Sequence, residues 1–507
     1  MDPHRVGRTI AGMGFINFIT LVLSLIQAII VARAFGTGES YDLYLLAIAI
    51  PEVIVYLATE VINASLVPSI TYHTRKGDRE SAYRVGFSFF ASVILSASFL
   101  LLILELLSPY LCNLLGGDAV NHRNLLIIVR LIMPLMVVYI AHRVIATMHN
   151  AIESFILPSI ASVFPPIIIS ISVLLLTNRF DIYSLVIGIF VSALSQIVFL
   201  TPLLLREGWG YIKVSGVDLR KGFSVCLVGM TFIIGAIAER MNLLVDRAVA
   251  SHLQVGSISA LKYGFQIVAY LQAMFSVPLN RVYYTQISQD IGAGNINSAL
   301  NRFDRGARTL AIVYIPVGLL MTLIAHPVIR VLFQRGSFTE LSTTMSAKAL
   351  SIYAPGLIFI GLVSLTSSMI YALKKSLTYS LVGAFIIALN LILDITLVRY
   401  IEYLGIAITT VIVNAVWSFT FVFYIGRLLS RNLFSRGLLL TFLKVSASSG
   451  IAYLLLWFVM KNVAMPSGFL PQVFYILVVV FLFIAVSWGL AYLFGEKMVK
   501  DIMRLRF

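Results

Sequence analysis

The chain has 507 residues, of which 60% are hydrophobic and only 12% charged, about half the ~25% charged fraction of an ordinary soluble domain. Together with a mean hydropathy of +0.97, this excludes a soluble enzyme, a disordered chain and a secreted disulfide scaffold; Cys112 and Cys226 read as small buried hydrophobes. The net charge of +15, from 37 Lys+Arg against 22 Asp+Glu, points to membrane topology rather than to nucleic acid.

A bilayer span needs about 20 predominantly apolar residues. Fourteen stretches meet that length, and the fold expected is an all-α polytopic membrane protein. The first, 9–33, follows Arg5 and Arg8 without a small-residue cleavage pattern, so it reads as a retained span, and Arg33 closes it. The second, 43–66, begins beside Asp42, a residue placed to cap a helix end, and contains Glu52 after Pro51 and then Glu60. These two carboxylates suit a coupling cation, a proton or an arginine partner; Glu52 also reads as a membrane-end group. Spans 85–107, 124–148, 155–177 and 183–205 follow, with Arg130 in the fourth reading as structural.

The seventh span, 223–250, is the most charged. Glu239 and Arg240 are followed seven residues later by Asp246 and Arg247. Seven residues at about 100° each return nearly to one face, so the carboxylates share one stripe and the arginines its neighbour. Arginines on such a stripe suit bidentate phosphate binding; the alternative is local ion pairing. In the eighth span, 258–287, Lys262 and Gln266 lie four apart on one face, with a snorkelling lysine as the alternative. Spans 309–333, 346–372, 376–398, 403–426, 438–460 and 471–494 complete the set, with Asp394 in the eleventh reading as structural.

Alternate connections carry 22 and five basic residues. The rich side includes Arg75, Lys76, Arg79 and Arg84; the poor side has Arg123, Arg179, Arg335, Arg399 and Lys461. Lys and Arg favour the cytoplasmic face, so both termini are expected there. The connections are too short for a soluble domain, no phosphate-binding glycine loop ending in Lys-Ser/Thr is present, and no His/Cys cluster has metal-ligand spacing.

An internal repeat runs through the first twelve spans. Val31-Ala32-Arg33 with Gly38 matches Val249-Ala250-Ser251 with Gly256, offset by 218. Gly77, Ser81 and Ala82 match Gly294, Ser298 and Ala299; Pro109 matches Pro327, Pro134 matches Pro355, and Ser154-Phe155 matches Ser376-Leu377. An offset of six spans preserves topology, so the repeats are parallel. The expected organisation is an N-lobe over 1–210, a C-lobe over 211–430 and a C-terminal helix pair with a basic tail over 431–507. Two such lobes around a cleft are how alternating access is built.

Three strings, AIIVARAFGTGESYDLYLLAIAIPE (28–52), NLLVDRAVASHLQVGSISALKYG (242–264) and VLFQRGSFT (331–339), resemble the MurJ (MviN) family of the multidrug/oligosaccharidyl-lipid/polysaccharide exporter superfamily. The resemblance implies a V-shaped two-lobe carrier that moves an undecaprenyl-pyrophosphate-linked saccharide from the inner to the outer leaflet of the bacterial cytoplasmic membrane. It implies no cofactor; a Na+, H+ or Cl− gradient or the membrane potential would drive transport. The partners implied are the lipid-linked saccharide, the bilayer and cell-envelope synthesis proteins, with no nucleic acid. Asp42, Pro51, Glu60 and the Asp246-Arg247 pair match family patterns. The arginines that the family usually places in span 1, with an acidic residue beside one of them, and its basic residues in spans 2 and 8, are here Leu21, Gln27, Ala28, Val55, Tyr56 and Gln266. A substrate headgroup would therefore rely on Arg240, Arg247, Lys262, Arg33 and Gln266, with Glu60, Glu239, Asp246, Glu52 and Asp42 as ion-coupling or charge partners. The rival readings are an exopolysaccharide or O-antigen-unit flippase, a cation-coupled drug exporter, and a non-transporting partner of a cell-envelope complex.

Overall fold

The computed structural model describes residues 3–117, 121–206, 217–230, 233–431, 433, 435–463, 465–496 and 498–499, and no strand occurs among them. The elements are helices in chain order. The first six spans are built from α1 (Pro3–Phe35), α2 (Glu39–Arg75), α3 (Arg79–Leu115), the pair α4 (His122–Ile132) and α5 (Leu135–Ala151), the pair α6 (Ile156–Ala161) and α7 (Phe164–Phe180), and α8 (Tyr183–Arg206). The seventh and eighth are α9 (Leu219–Met230) with α10 (Ile233–Ala250), and α11 (Ser257–Gly292). Next come α12 (Ile296–Leu323), α13 (Ala325–Phe333), α14 (Glu340–Tyr353) and α15 (Leu357–Ala372). The chain closes with α16 (Ser376–Ile401), α17 (Tyr403–Leu428), α18 (Arg436–Asn462) and α19 (Phe469–Leu493).

Among the described residues, 12 helical stretches are long and apolar enough to cross a membrane. The two expected spans outside that set are 223–250 and 258–287; the first of them carries Glu239, Arg240, Asp246 and Arg247 within α10. Several helices outrun the expected spans because their ends are polar: α2 continues through Thr71, His73 and Arg75. Prolines set the interruptions. Pro134 separates α4 from α5, and a 3-10 turn over Ala354–Gly356 separates α14 from α15. A proline lacks the N–H that the helix ladder needs and its ring crowds the preceding turn.

The chain divides into two compact units, residues 1–256 with 335–338, and residues 257–334 with 339–507. In the first unit, α2 packs on α3, α5, α9 and α10, α8 packs on α5 and α7, and α1 on α7. The core joins Ile62, Leu66 and Ile70 of α2 to Phe89 of α3, Met136 and Val144 of α5, and Leu200 of α8. Thus α9 and α10, expected to open the C-lobe, pack with α2 and α3. In the second unit, α11 packs on α12, α14 and α15, and α16 on α17. The C-terminal pair closes on α12 through Leu320, Ala452, Leu456 and Phe483. Large apolar side chains such as Phe99, Leu106, Phe423 and Leu470 remain exposed on the outer faces, as a surface solvated by lipid tails requires.

The repeat is visible in local geometry. Gly77 and Gly294 both take φ near +75 to +79, and the next residues, Asp78 and Asn295, donate their N–H groups to His73 O and Asp290 O, closing equivalent helix ends. Asp78 then accepts from Ser81 N, and Asn295 from Ser298 N, to cap the following helix. The Ser81 hydroxyl, and then the Ser81 N–H, hold the Asp78 carboxyl below its ordinary pKa.

Candidate functional site

The polar residues of the first unit gather along one face of α2. Glu52, Tyr56, Thr59 and Asn63 follow one another at four, three and four residues, the spacing of a single helical stripe. All four are half-buried or exposed, although this part of α2 lies well inside an apolar helix. Pro51 leaves the carbonyl of Ala47 without its helical donor, which loosens the backbone beside the stripe.

Arg247 reaches this stripe from α10. Its Nη1 donates to Leu45 O at 2.8 Å and its Nη2 to Glu52 Oε2 at 3.2 Å. The guanidinium is 8% exposed and the Glu52 side chain 43%, so the cation is locked while the carboxylate keeps an open side. One heptad earlier on α10, Arg240 lies over the Tyr56 ring, 4.1 Å from its centroid, a cation–π contact. Tyr44 and Tyr139 lie within electrostatic range of Glu52, and Tyr44 also of Arg247. Tyr139 belongs to α5 and hydrogen-bonds Ser192 of α8.

Of the residues expected from sequence, Asp42, Glu52, Glu60, Arg240, Asp246 and Arg247 therefore share the α2–α10 region. Glu60 is half-buried on α2 and Asp246 half-buried on α10; the Glu239 side chain lies outside the described residues. Arg33 sits at the last turn of α1, and its carbonyl accepts from Ser337 N at 2.9 Å. Lys262 and Gln266 belong to α11 in the second unit, where Gln266 Nε2 donates to the Tyr270 hydroxyl at 2.7 Å. Arg130 donates to Ser108 Oγ at 3.1 Å and lies 4.0 Å from Glu105, so it ties α4 to α3. Asp394 is fully buried and accepts from Asn390 at 3.0 Å.

The sequence reading missed Arg143 on α5. Its side chain is exposed and stands one turn before Thr147, on the face of α5 whose Thr147 Oγ1 donates to Asn63 Oδ1 of the α2 stripe. The signal was present, a cation five residues inside the predicted end of span 124–148.

The two ends of the first unit differ. At one end the backbone is fastened. Asp42 Oδ2 accepts from Gly256 N at 2.6 Å. Ser251 Oγ donates to Leu115 O at 2.6 Å and accepts from Gly117 N at 3.0 Å. Gly36, at φ +56, lies so close to the Ser337 carbonyl that a Cβ would collide with it. At the other end, a cavity of about 600 Å³ opens between α1, α2, α5 and α6. Among the described residues no cluster of three or more His, Cys, Asp or Glu is arranged to hold a metal ion.

The sequence family described as "Lipid II flippase MurJ" matches residues 31–482. A probable lipid II flippase MurJ of Buchnera aphidicola subsp. Acyrthosiphon pisum is 24% identical over 453 residues, covering 85% of this chain and 84% of that one. Its counterpart in Vibrio cholerae is 24% identical over 417 residues, covering 78% of each. Among solved structures, a lipid II flippase MurJ in an inward closed conformation superposes with a TM-score of 0.78 at 20% identity, covering 97% of this chain and 99% of that one. An inward-facing multidrug resistance MATE family transporter reaches 0.66 at 16% identity, over 81% of this chain and 94% of that one.

Proposed function

The chain belongs to the MurJ family of lipid II flippases, and on that premise we propose that it carries a polyprenyl-diphosphate-linked saccharide of the lipid II type from the inner to the outer leaflet by alternating access. It is a multi-pass membrane transporter and not an enzyme. The observation that carries the reading is the polarity of the first unit: an arginine-bearing seam lies between a fastened end and an end that holds a cavity. With both termini cytoplasmic, as the basic connections dictate, the fastened end faces outward and the cavity faces the cytoplasm, where such a substrate is made.

In this reading Arg247 and Arg240 attract the diphosphate, since guanidinium groups pair bidentately with phosphate oxygens. Arg33, Lys262 and Gln266 are further headgroup contacts. The carboxylates Asp42, Glu52, Glu60, Glu239 and Asp246 balance the arginines and exchange partners when substrate or a coupling ion enters. The drive is a Na+, H+ or Cl− gradient or the membrane potential, and the polyprenyl tail stays in the bilayer.

Expression in a MurJ-depleted bacterium tests the proposal. The unaltered chain is expected to restore growth and lipid II exposure on the outer face. Arg247→Ala should insert normally yet fail to expose lipid II, with Arg247→Lys giving partial recovery. Full rescue by Arg247→Ala would remove that residue from the site. Failure of the unaltered chain, with loss of an exopolysaccharide on deletion from its host, would assign the fold to another polyprenyl-linked glycan.

A further inference from the structure

We propose that the seam between α2 and α5 is a headgroup-reading subsite, in which Arg143 receives the diphosphate and the cavity at the end of the seam receives the sugar. The inference rests on the flippase reading above and adds to it a site for each half of the headgroup.

Arg143 makes no hydrogen bond or ion pair among the described residues. Charge inside a membrane span is costly, and the electrostatic neighbour of Arg143 is the neutral Tyr139, one turn away on α5, so a cation kept there without an acidic partner is positioned for an anion the protein itself does not supply. The internal repeat provides the control. Adding the local offset of 221 brings Arg143 to Ser364, a neutral residue whose hydroxyl accepts from Asn280 Nδ2 at 2.5 Å. The fold thus does not require an arginine at this place; the first unit has one and its structural twin does not.

The register of the two helices fixes the level of Arg143. Thr147 Oγ1 donates to Asn63 Oδ1 at 3.2 Å, and α2 and α5 run in the same direction because two spans separate their starts. One turn back from Thr147 is Arg143, and one turn back from Asn63 is Thr59. Tyr56, which carries Arg240 on its ring, is three residues further, about 5 Å along the axis at 1.5 Å per residue. Arg143 from α5 and Arg240 from α10 therefore approach the α2 stripe at neighbouring levels along its axis.

The cavity of about 600 Å³ continues the same seam, and its size lies within the range of small-molecule sites. Asn150, one of its lining residues, lies seven positions beyond Arg143 on the same face of α5, about 10 Å along the helix. Asn17 of α1, Thr71 of α2, Glu153, Ser159 of α6 and Phe155 line it as well, and none of its lining residues is basic. Amides, hydroxyls and one carboxylate match the hydroxyl and amide groups of a sugar, Met13, Val67, Phe155 and Pro158 give its C–H faces an apolar wall, and no cation is there for a phosphate. The seam is therefore divided by chemistry, with cations at its middle and, at its end, amides, hydroxyls and one carboxylate set among apolar side chains.

The test compares the affinity of the purified full-length protein in detergent for two probes, lipid II and undecaprenyl diphosphate. Arg143→Gln should weaken both by about tenfold or more, the effect of losing one charged hydrogen-bonding group, and Arg143→Lys should recover part of the loss. The Asn150→Leu/Ser159→Leu variant should weaken lipid II while leaving undecaprenyl diphosphate unchanged, so that the ratio of the two affinities falls towards one. Monodisperse elution of each variant establishes folding. Unchanged affinities in Arg143→Gln, or equal losses for both probes in the cavity variant, would overturn the subsite alone. An unaltered protein that binds neither probe would overturn the flippase reading and the subsite with it.

Discussion

Gly256 takes a φ of +94, and its N–H meets Asp42 Oδ2 at 2.6 Å while its α-carbon faces the Thr37 carbonyl. Asp42→Ala leaves that buried donor without its carboxylate and should destabilise the fastened end by about 1–3 kcal/mol, lowering Tm and abolishing transport, whereas Asp42→Asn keeps an acceptor oxygen and should retain more of both. Wild-type transport by Asp42→Ala would show that this bond does not hold the end closed. Asp42 was legible in sequence as a helix-end carboxylate, and the seven-residue spacing in α10 put Arg240 and Arg247 together on one stripe. What sequence did not supply was the partner. Glu52 and Arg247 are 195 residues apart, and periodicity orders side chains around one helix without saying which helix faces it. Arg143 was lost for the same reason: a charge in an apolar span announces a cost, not the direction of the space that offsets it.

The helices themselves were read with fair accuracy because twenty apolar residues leave the chain few alternatives, and misplacements concentrate where polar ends extend a helix or a proline divides one. The turns were harder. Besides Gly77 and Gly294, the repeat is marked by non-glycine residues in the left-handed half of the map: Glu153 and Lys374 at φ 66 and 58, Asp181 and Glu402 at φ 42 and 51. Each pair is 221 apart, and each closes the same bonds, such as Asp181 N to Thr177 O and Glu402 N to Val398 O. Sequence reading seeks glycine at such positions and passes over an acid or a lysine. Glu402, at ψ −141, occupies a region nearly reserved for glycine, where an L-residue costs about 1–3 kcal/mol. Glu402→Gly should therefore raise Tm with transport unchanged; a lower Tm would mean that the carboxylate stabilises this turn by more than the backbone strain.

Over the whole molecule the excess of basic residues and the scarcity of charge inside the spans are two sides of one arrangement. The 22 basic residues on one set of connections against five on the other predict an orientation, because Lys and Arg resist translocation, and orientation in turn decides what the asymmetry of the first unit means. If the end bearing Asp42 and Gly256 faces outward, the cavity beside Asn150 receives substrate from the cytoplasm; the opposite orientation would make the same molecule an importer. The prediction is checked in a variant lacking Cys112 and Cys226, with single cysteines introduced at Ser467, between α18 and α19, and at Ser430, after α17. In intact spheroplasts a membrane-impermeant maleimide should label Ser467→Cys and spare Ser430→Cys until the membrane is opened. The reverse pattern would invert the topology, and with it the direction in which the arginine seam hands a diphosphate across the membrane.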